Sequence, residues 1–142
     1  MDFRGKNVLV VGMGRSGLAA VELLAARGAL VRAADVKPLD QLPEAAPALQ
    51  RLGVQFELQT PGTFETAETV VLSPGVPADL EPLLGARVRG VPVIGEVELA
   101  SYFLEGQTIG ITGTNGKTTT TALTGHILRA SGIPVQVGGN IG

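Results

Sequence analysis

The sequence contains no cysteine and only one histidine, His126. Without cysteine the chain cannot form a disulfide, a thiolate metal site or a cysteine nucleophile. The single histidine cannot form a metal-binding histidine cluster, and we find no serine–histidine–aspartate set around it. We therefore interpret His126, which falls on a predicted helix, as a structural residue.

Blocks of basic residues and long apolar runs are also missing. The net charge is -2, so the sequence offers no electrostatic footprint for nucleic acid or for a membrane surface. Its apolar stretches are far shorter than the ~18 residues of a membrane-spanning helix. The N-terminal segment has no small-residue cleavage site of the kind that follows a signal peptide. We expect a soluble, cytoplasmic protein that binds neither nucleic acid nor membrane.

Apolar runs alternate with helical patterns through the first two thirds of the chain. With 44% hydrophobic residues and a mean hydropathy of +0.30, the 142 residues can form one domain and the start of another. Short β-branched runs followed by helices predict a doubly wound parallel sheet of the Rossmann-like α/β class, with right-handed crossovers. We predict its strands at residues 7–11, 30–34, 54–58, 69–72 and 91–94.

The pattern begins again after Gly95, which we take as the domain boundary. Residues 96–104 indicate a connecting helix, and residues 108–112 and 135–137 indicate strands on either side of a helix that ends near Ser131. A strand–loop–helix–strand unit is typical of the opening of a P-loop ATPase sheet. The predicted domains are therefore 1–95 and 96–142, the second truncated because 47 residues cannot cover its apolar faces.

The first glycine-rich loop has the spacing G-x-G-x-x-G, from Gly12 through Gly14 to Gly17. In a strand–loop–helix unit these glycines permit a tight turn, close approach to a diphosphate and close helix packing. Asp35, at the end of the second predicted strand, can accept a hydrogen bond from a ribose or a base. The alternative interpretation of Asp35 is a solvated acid at a strand end.

A second phosphate-binding loop runs from Thr112 to Thr118. Its backbone N–H groups can form an anion nest, the Lys117 ammonium can reach terminal phosphates, and the Thr118 hydroxyl can ligate Mg²⁺. Ile111 stands where the strict P-loop pattern has its first glycine. The alternative is therefore an exposed turn with an incidental Gly-Lys pair.

Four segments together resemble the Mur ligases, the ATP-dependent amide ligases of peptidoglycan synthesis. They are GKNVLVVGMGRSG near the N-terminus, SPGVP after the fourth predicted strand, ITGTNGKTTT, and GGNIG at the end. Their combination over essentially the whole chain is similar to the N-terminal third of the D-glutamate-adding branch of this family. The resemblance implies a ligase of cell-wall biogenesis that adds D-glutamate to UDP-N-acetylmuramoyl-L-alanine through an acyl phosphate.

The resemblance also implies roles for individual residues. Lys117 and Thr118 carry over as catalytic residues, and Thr118 also as the Mg²⁺ ligand. The residues implied for ATP are Gly113, Thr114, Asn115, Gly116, Lys117, Thr118 and Thr119. The residues implied for the UDP substrate are Gly14, Arg15, Ser16, Asp35, Val36, Lys37, Ser73, Pro74, Gly75 and Asn140.

The family's remaining Mg²⁺ ligands, its modified lysine and its amino-acid-binding domain have no counterpart up to Gly142. We therefore expect a monomeric fragment that requires ATP and Mg²⁺ and is inactive alone. Two other hypotheses remain open from the residues themselves. The first 40 residues would also suit a nicotinamide-dependent oxidoreductase domain, although an oxidoreductase has no use for the second loop. Residues 1–95 could equally be a non-catalytic UDP-sugar-binding module.

Overall fold

The computed structural model describes residues 1–139, which contain five strands and five α-helices. Short 3-10 turns lie at Leu39–Gln41 and Pro61–Phe64. In chain order the elements are β1 (Asn7–Val11), α1 (Arg15–Ala26), β2 (Leu30–Asp35), α2 (Ala45–Leu52), β3 (Gln55–Leu58), β4 (Thr69–Leu72), α3 (Glu81–Val88), β5 (Val93–Gly95), α4 (Glu96–Ser101) and α5 (Lys117–Ala130).

The five strands form one parallel sheet in the order β3-β2-β1-β4-β5. β1 lies at its centre, where Val11 pairs with Ala34 of β2 on one side and with Leu72 of β4 on the other. The sheet grows outward from β1 to β3, and the chain then crosses back to place β4 on the other side. The predicted doubly wound parallel sheet is therefore confirmed, with its topological switch point between β1 and β4.

Both faces of the sheet are covered, which explains why its central strands are apolar throughout. On one face Val8 and Val10 of β1 pack with α1, α2 and α4, and Leu24 of α1 is fully buried there. On the other face Leu9 and Val11 pack with α3 and with Phe64 of the second 3-10 turn. The alternation of side chains along β1 thus divides the core into two layers.

Phe3 is a core residue that the periodicity of the sequence did not indicate. It precedes β1, is almost fully buried, and its ring lies 6.1 Å from that of Tyr102 and 5.8 Å from that of Phe103. These contacts hold the segment that follows α4 against the first layer of the core. The first compact unit accordingly extends to Leu104, while the boundary at residue 95 stays a prediction about domain organisation.

A second compact unit starts at Glu105, and α5 is its principal element. The predicted helix after the second loop is confirmed as Lys117–Ala130. In the described part of this unit, residues 105–139, neither 108–112 nor 135–137 forms the predicted strand. A strand needs a neighbour for its hydrogen-bond ladder, and residues 105–139 supply none. Val137 packs against Gly125 of α5.

None of the helices in residues 1–139 combines the length and apolar character needed to cross a lipid bilayer.

The packing of Phe3 predicts that Phe3→Ala lowers the free energy of unfolding by about 3–5 kcal/mol, because it removes a buried ring and leaves a cavity. Val88→Ala is the matched control, since Val88 is 88% exposed and should change stability by about 0.5 kcal/mol or less. Urea unfolding followed by far-UV circular dichroism measures both. Equal midpoints for the two variants would contradict the anchoring role of Phe3.

Candidate functional site

A cleft of about 590 Å³ opens at the carboxyl ends of the strands, next to the switch point between β1 and β4. Crevices at this position are the usual ligand sites of open α/β sheets. Of the residues implied for the UDP substrate, the cleft is lined by Gly14, Arg15, Ser16, Asp35, Val36, Ser73, Pro74 and Gly75. Residues that the sequence scattered over three loops are thus brought to one place.

The first glycine-rich loop is packed too closely to accept side chains at two of its three glycines. Gly12 has φ +91°, and a Cβ atom there would lie 2.9 Å from Cγ2 of Val76. A Cβ atom on Gly17 would lie 1.8 Å from the carbonyl oxygen of Gly12. Nothing lies within 4 Å of a Cβ atom at Gly14, so the backbone there is open to a ligand.

Helix α1 points its N-terminus into this cleft. Gly14 is its N-cap and offers no capping side chain. The first hydrogen bond of the helix is donated by the N–H of Leu18 to Gly14 O, at 3.0 Å. The N–H groups of residues 15–17 therefore have no acceptor one helical turn earlier. Such a helix end attracts an anion through its N–H groups and its partial positive charge.

Asp35 connects the end of β2 to the glycine-rich loop. Its Oδ2 accepts a hydrogen bond from the N–H of Met13 at 2.7 Å, and its Oδ1 accepts one from the N–H of Lys37 at 2.9 Å. The side chain is half-buried rather than solvated. A carboxylate has about four lone-pair positions, so Asp35 can hold the loop and still accept a hydrogen bond from a ligand.

Ser73 connects the same loop to β4 from the opposite side. Its hydroxyl donates a hydrogen bond to the carbonyl oxygen of Gly12 at 2.8 Å, and the residue is only 8% exposed. Its N–H extends the ladder by donating to Val11 O at 3.0 Å. The serine side chain thus contacts the loop, while Pro74 and Gly75 continue along the wall of the cleft.

Two predicted substrate residues are not among the described residues that line the cleft, and one residue that the sequence did not indicate is. Lys37 is exposed and does not line the cleft, whereas Val36 lines it with 70% of its surface exposed. Asn140 lies outside the described residues. Gln59, which follows β3, lines the cleft, and its N–H donates to Asp35 O at 2.8 Å. Its position after a parallel strand is the signal that could have revealed it.

The second phosphate-binding loop belongs to the second unit and precedes α5. Gly113 and Gly116 have φ +148° and +76°, conformations that side chains disfavour. The Lys117 ammonium donates to the carbonyl oxygens of Gly113 and Thr114. Thr114, Asn115, Thr118 and Thr119 are all exposed beside it.

The start of α5 has free backbone donors, as a phosphate site requires. The first hydrogen bond of α5 is donated by the N–H of Thr120 to Gly116 O, at 2.9 Å. The N–H groups of residues 117–119 therefore face away from intrahelical acceptors. Within residues 1–139 no three His, Cys, Asp or Glu side chains form a metal-binding group, and His126 is exposed on α5. Thr118, which the sequence predicts as a Mg²⁺ ligand, is exposed in the first turn of α5.

Known proteins resemble this chain in both sequence and structure. The UDP-N-acetylmuramoylalanine–D-glutamate ligase of Solibacter usitatus is 61% identical over 142 residues, which are all of this chain and 31% of that protein. The chain therefore spans about a third of the length of this curated relative. The UDP-N-acetylmuramate-alanine ligase of Thermotoga maritima is 25% identical with a TM-score of 0.53, over 87% of this chain and 29% of that one.

The sheet architecture is also shared outside the ligases. A formate dehydrogenase from Granulicella matches 67% of this chain and 25% of its own with a TM-score of 0.51, at 17% identity. That likeness concerns the fold alone. Residues 6–95 match the family described as Mur ligase MurD-like, N-terminal domain, and the chain therefore belongs to the MurD-like Mur ligases.

Proposed function

We propose that this chain is the UDP-substrate-binding part and the ATP loop of a peptidoglycan ligase that adds D-glutamate to UDP-N-acetylmuramoyl-L-alanine. The observation that carries the proposal is the 61% identity, over the whole chain, to a relative that bears this activity in its name. The enzyme acts as a cytoplasmic monomer on small-molecule substrates. We propose the domain boundary at residue 95, where the family match also ends.

The cleft of the first unit holds the nucleotide end of the substrate. The backbone at Gly14, Arg15 and Ser16 receives the diphosphate, because the open Gly14 and the N-terminus of α1 offer N–H donors there. Asp35 and Val36 hold the uridine, with Lys37 beside the uracil. Ser73, Pro74 and Gly75 line the path of the sugar, and Asn140 would meet its muramoyl end.

The loop before α5 holds the triphosphate of ATP. Its exposed backbone, from Gly113 to Gly116, and the N-terminus of α5 suit an anion, and Thr119 continues the same turn. Lys117 exchanges the carbonyl oxygens of Gly113 and Thr114 for phosphate oxygens. The Thr118 hydroxyl would ligate Mg²⁺, which keeps several waters and binds substrate phosphates rather than an all-protein cage. When bound, this ion neutralises charge on the phosphates.

The reaction proceeds through an acyl phosphate. The L-alanine carboxylate attacks the γ-phosphorus and ADP leaves; the D-glutamate amine then attacks the acyl carbon to give a tetrahedral intermediate. Collapse of that intermediate expels inorganic phosphate and leaves an amide bond. Catalysis of phosphoryl transfer consists mostly of positioning and charge stabilisation, so Lys117 contributes its charge at the transferred phosphoryl group.

The identity of the nucleotide that binds in the cleft distinguishes the proposed ligase from an oxidoreductase with the same sheet architecture. We expect calorimetry to detect binding of UDP and of UDP-N-acetylmuramoyl-L-alanine to this chain, and no binding of NAD or NADH at the same concentrations. UDP-N-acetylglucosamine serves as a control for general recognition of UDP-sugars. Tighter binding of NADH than of UDP would overturn the ligase proposal.

A second prediction concerns the two roles of Asp35. Asp35→Ala should weaken UDP binding roughly 10- to 100-fold and lower the free energy of unfolding by about 1–3 kcal/mol, because the ligand and the loop N–H groups both lose an acceptor. Asp40→Ala is the matched control. This substitution removes the same negative charge five residues away, at an exposed position. If calorimetry shows that Asp35→Ala leaves UDP affinity unchanged, Asp35 stabilises the loop but does not bind the ligand.

A third prediction concerns turnover by residues 1–142 alone. We expect no phosphate release from ATP with UDP-N-acetylmuramoyl-L-alanine, D-glutamate and Mg²⁺, because phosphoryl transfer needs all its charge-neutralising groups in one water-excluded site. The measurement is a phosphate assay run beside Lys117→Ala, with UDP binding confirmed in both proteins. Phosphate release that Lys117→Ala abolishes would contradict this prediction and show that the chain is active by itself.

A further inference from the structure

Gln59 is a polar residue of the cleft to which neither the sequence motifs nor the proposed reaction gives a role. It follows β3, and its backbone is fixed because its N–H donates to Asp35 O at 2.8 Å. The residue lines the cleft and is half-buried. Within residues 1–139 the amide group of the Gln59 side chain makes no hydrogen bond that satisfies standard geometry, so both its donors and its acceptor remain available.

The strand order places Gln59 at the far end of the nucleotide from the diphosphate. The diphosphate loop follows β1, Asp35 ends β2, and Gln59 follows β3, in three adjacent strands. Neighbouring strands lie roughly 4.8 Å apart. A nucleotide with its diphosphate at Gly14 and its nucleoside at Asp35 therefore directs its outer base edge toward Gln59.

The chemistry of this end of the cleft is complementary to uracil. The ring edge presents one donor, N3–H, flanked by the carbonyl oxygens O2 and O4, and O4 is the one that faces away from the ribose. Asp35 when ionised can only accept hydrogen bonds, so it suits N3–H but cannot satisfy O4. The Gln59 amide supplies the missing donor, and the exposed side chain of Val36 offers an apolar surface for the ring.

We propose that Gln59 is a base-binding residue whose side-chain amide donates a hydrogen bond to O4 of the uracil base. The inference rests on the proposed function, because it takes the ligand of this cleft to be a uridine diphosphate. It adds a base-reading contact from β3 to the contacts assigned to Asp35 and Val36. A cytosine has no proton on N3 and is therefore disfavoured by Asp35, whereas the Gln59 amide can rotate and accept a hydrogen bond from the cytosine amino group.

The test compares binding of UDP and CDP to the 142-residue chain and to Gln59→Glu. Glutamate is ionised at neutral pH and only accepts hydrogen bonds, so it repels O4 of uracil and accepts from the amino group of cytosine. We expect the ratio of UDP affinity to CDP affinity to fall roughly tenfold or more in Gln59→Glu, the effect of one lost hydrogen bond and one unpaired acceptor. The ratio cancels any general repulsion between the new carboxylate and the diphosphate.

Two further variants control for charge and for folding. Gln55→Glu places the same charge at the exposed beginning of β3, at the opposite end of the strand, and should leave the ratio unchanged. Gln59→Leu removes the amide without adding charge and should weaken UDP binding roughly threefold to tenfold. If circular dichroism shows that Gln59→Glu does not fold, the UDP affinity of Gln59→Leu tests the inference instead.

The outcomes separate the inference from the function on which it rests. If the unsubstituted chain binds UDP and the ratio is the same in Gln59→Glu, or UDP affinity is unchanged in Gln59→Leu, Gln59 does not read the base and the ligase proposal stands. If the unsubstituted chain binds neither UDP nor UDP-N-acetylmuramoyl-L-alanine, the proposed function fails and the inference with it. If the ratio of UDP affinity to CDP affinity falls in Gln59→Glu but not in Gln55→Glu, the result supports both the inference and the proposed function.

Discussion

The contact between the Gly12 carbonyl, the Gly17 Cα and the Ser73 hydroxyl is the constraint on which the first site depends. A Cβ atom at Gly17 would lie 1.8 Å from the carbonyl oxygen and 2.7 Å from the hydroxyl, so helix α1 can approach the sheet this closely only with glycine. The approach brings the N-terminus of α1 to the end of β1, where its N–H groups face the cleft. The position of these N–H donors is therefore a consequence of packing, and they are in place for the proposed diphosphate before it binds.

Two hydrogen bonds stabilise that arrangement from opposite sides of the switch point. Asp35 at the end of β2 accepts from Met13 N–H, and Ser73 at the end of β4 donates to Gly12 O. Because β1 lies between β2 and β4, the loop that follows it is held by both neighbours. A residue implied by its motif to touch the ligand, such as Asp35, thus also contributes to the shape of the site. Loss of binding in an Asp35 variant must be compared with its loss of stability for this reason.

The sequence predicted the sheet well because β1 and β4 are short apolar runs, because β3 alternates apolar and polar residues, and because the strands of a parallel sheet are joined by crossovers that are usually helical. It missed Phe3, because one aromatic residue outside any periodic run carries no pattern. It missed Gln59, which lines the cleft, because no motif marks the residue and only its position after a parallel strand could have indicated it. The strands expected at 108–112 and 135–137 failed for a related reason: their apolar pattern is local, but a hydrogen-bond ladder needs a partner strand.

The two glycine-rich loops offer phosphate different kinds of binding group, and the difference fits the two ligands proposed for them. The loop at Gly12 is enclosed by β2, β4 and α1, and its anion-binding groups are backbone N–H donors fixed by packing. Fixed backbone donors suit the proposed diphosphate, which the proposed reaction leaves unchanged. The loop before α5 is exposed and carries Lys117, whose ammonium rests on loop carbonyl oxygens. A cation that can exchange those carbonyls for phosphate oxygens suits a phosphoryl group whose charge must be stabilised as it is transferred.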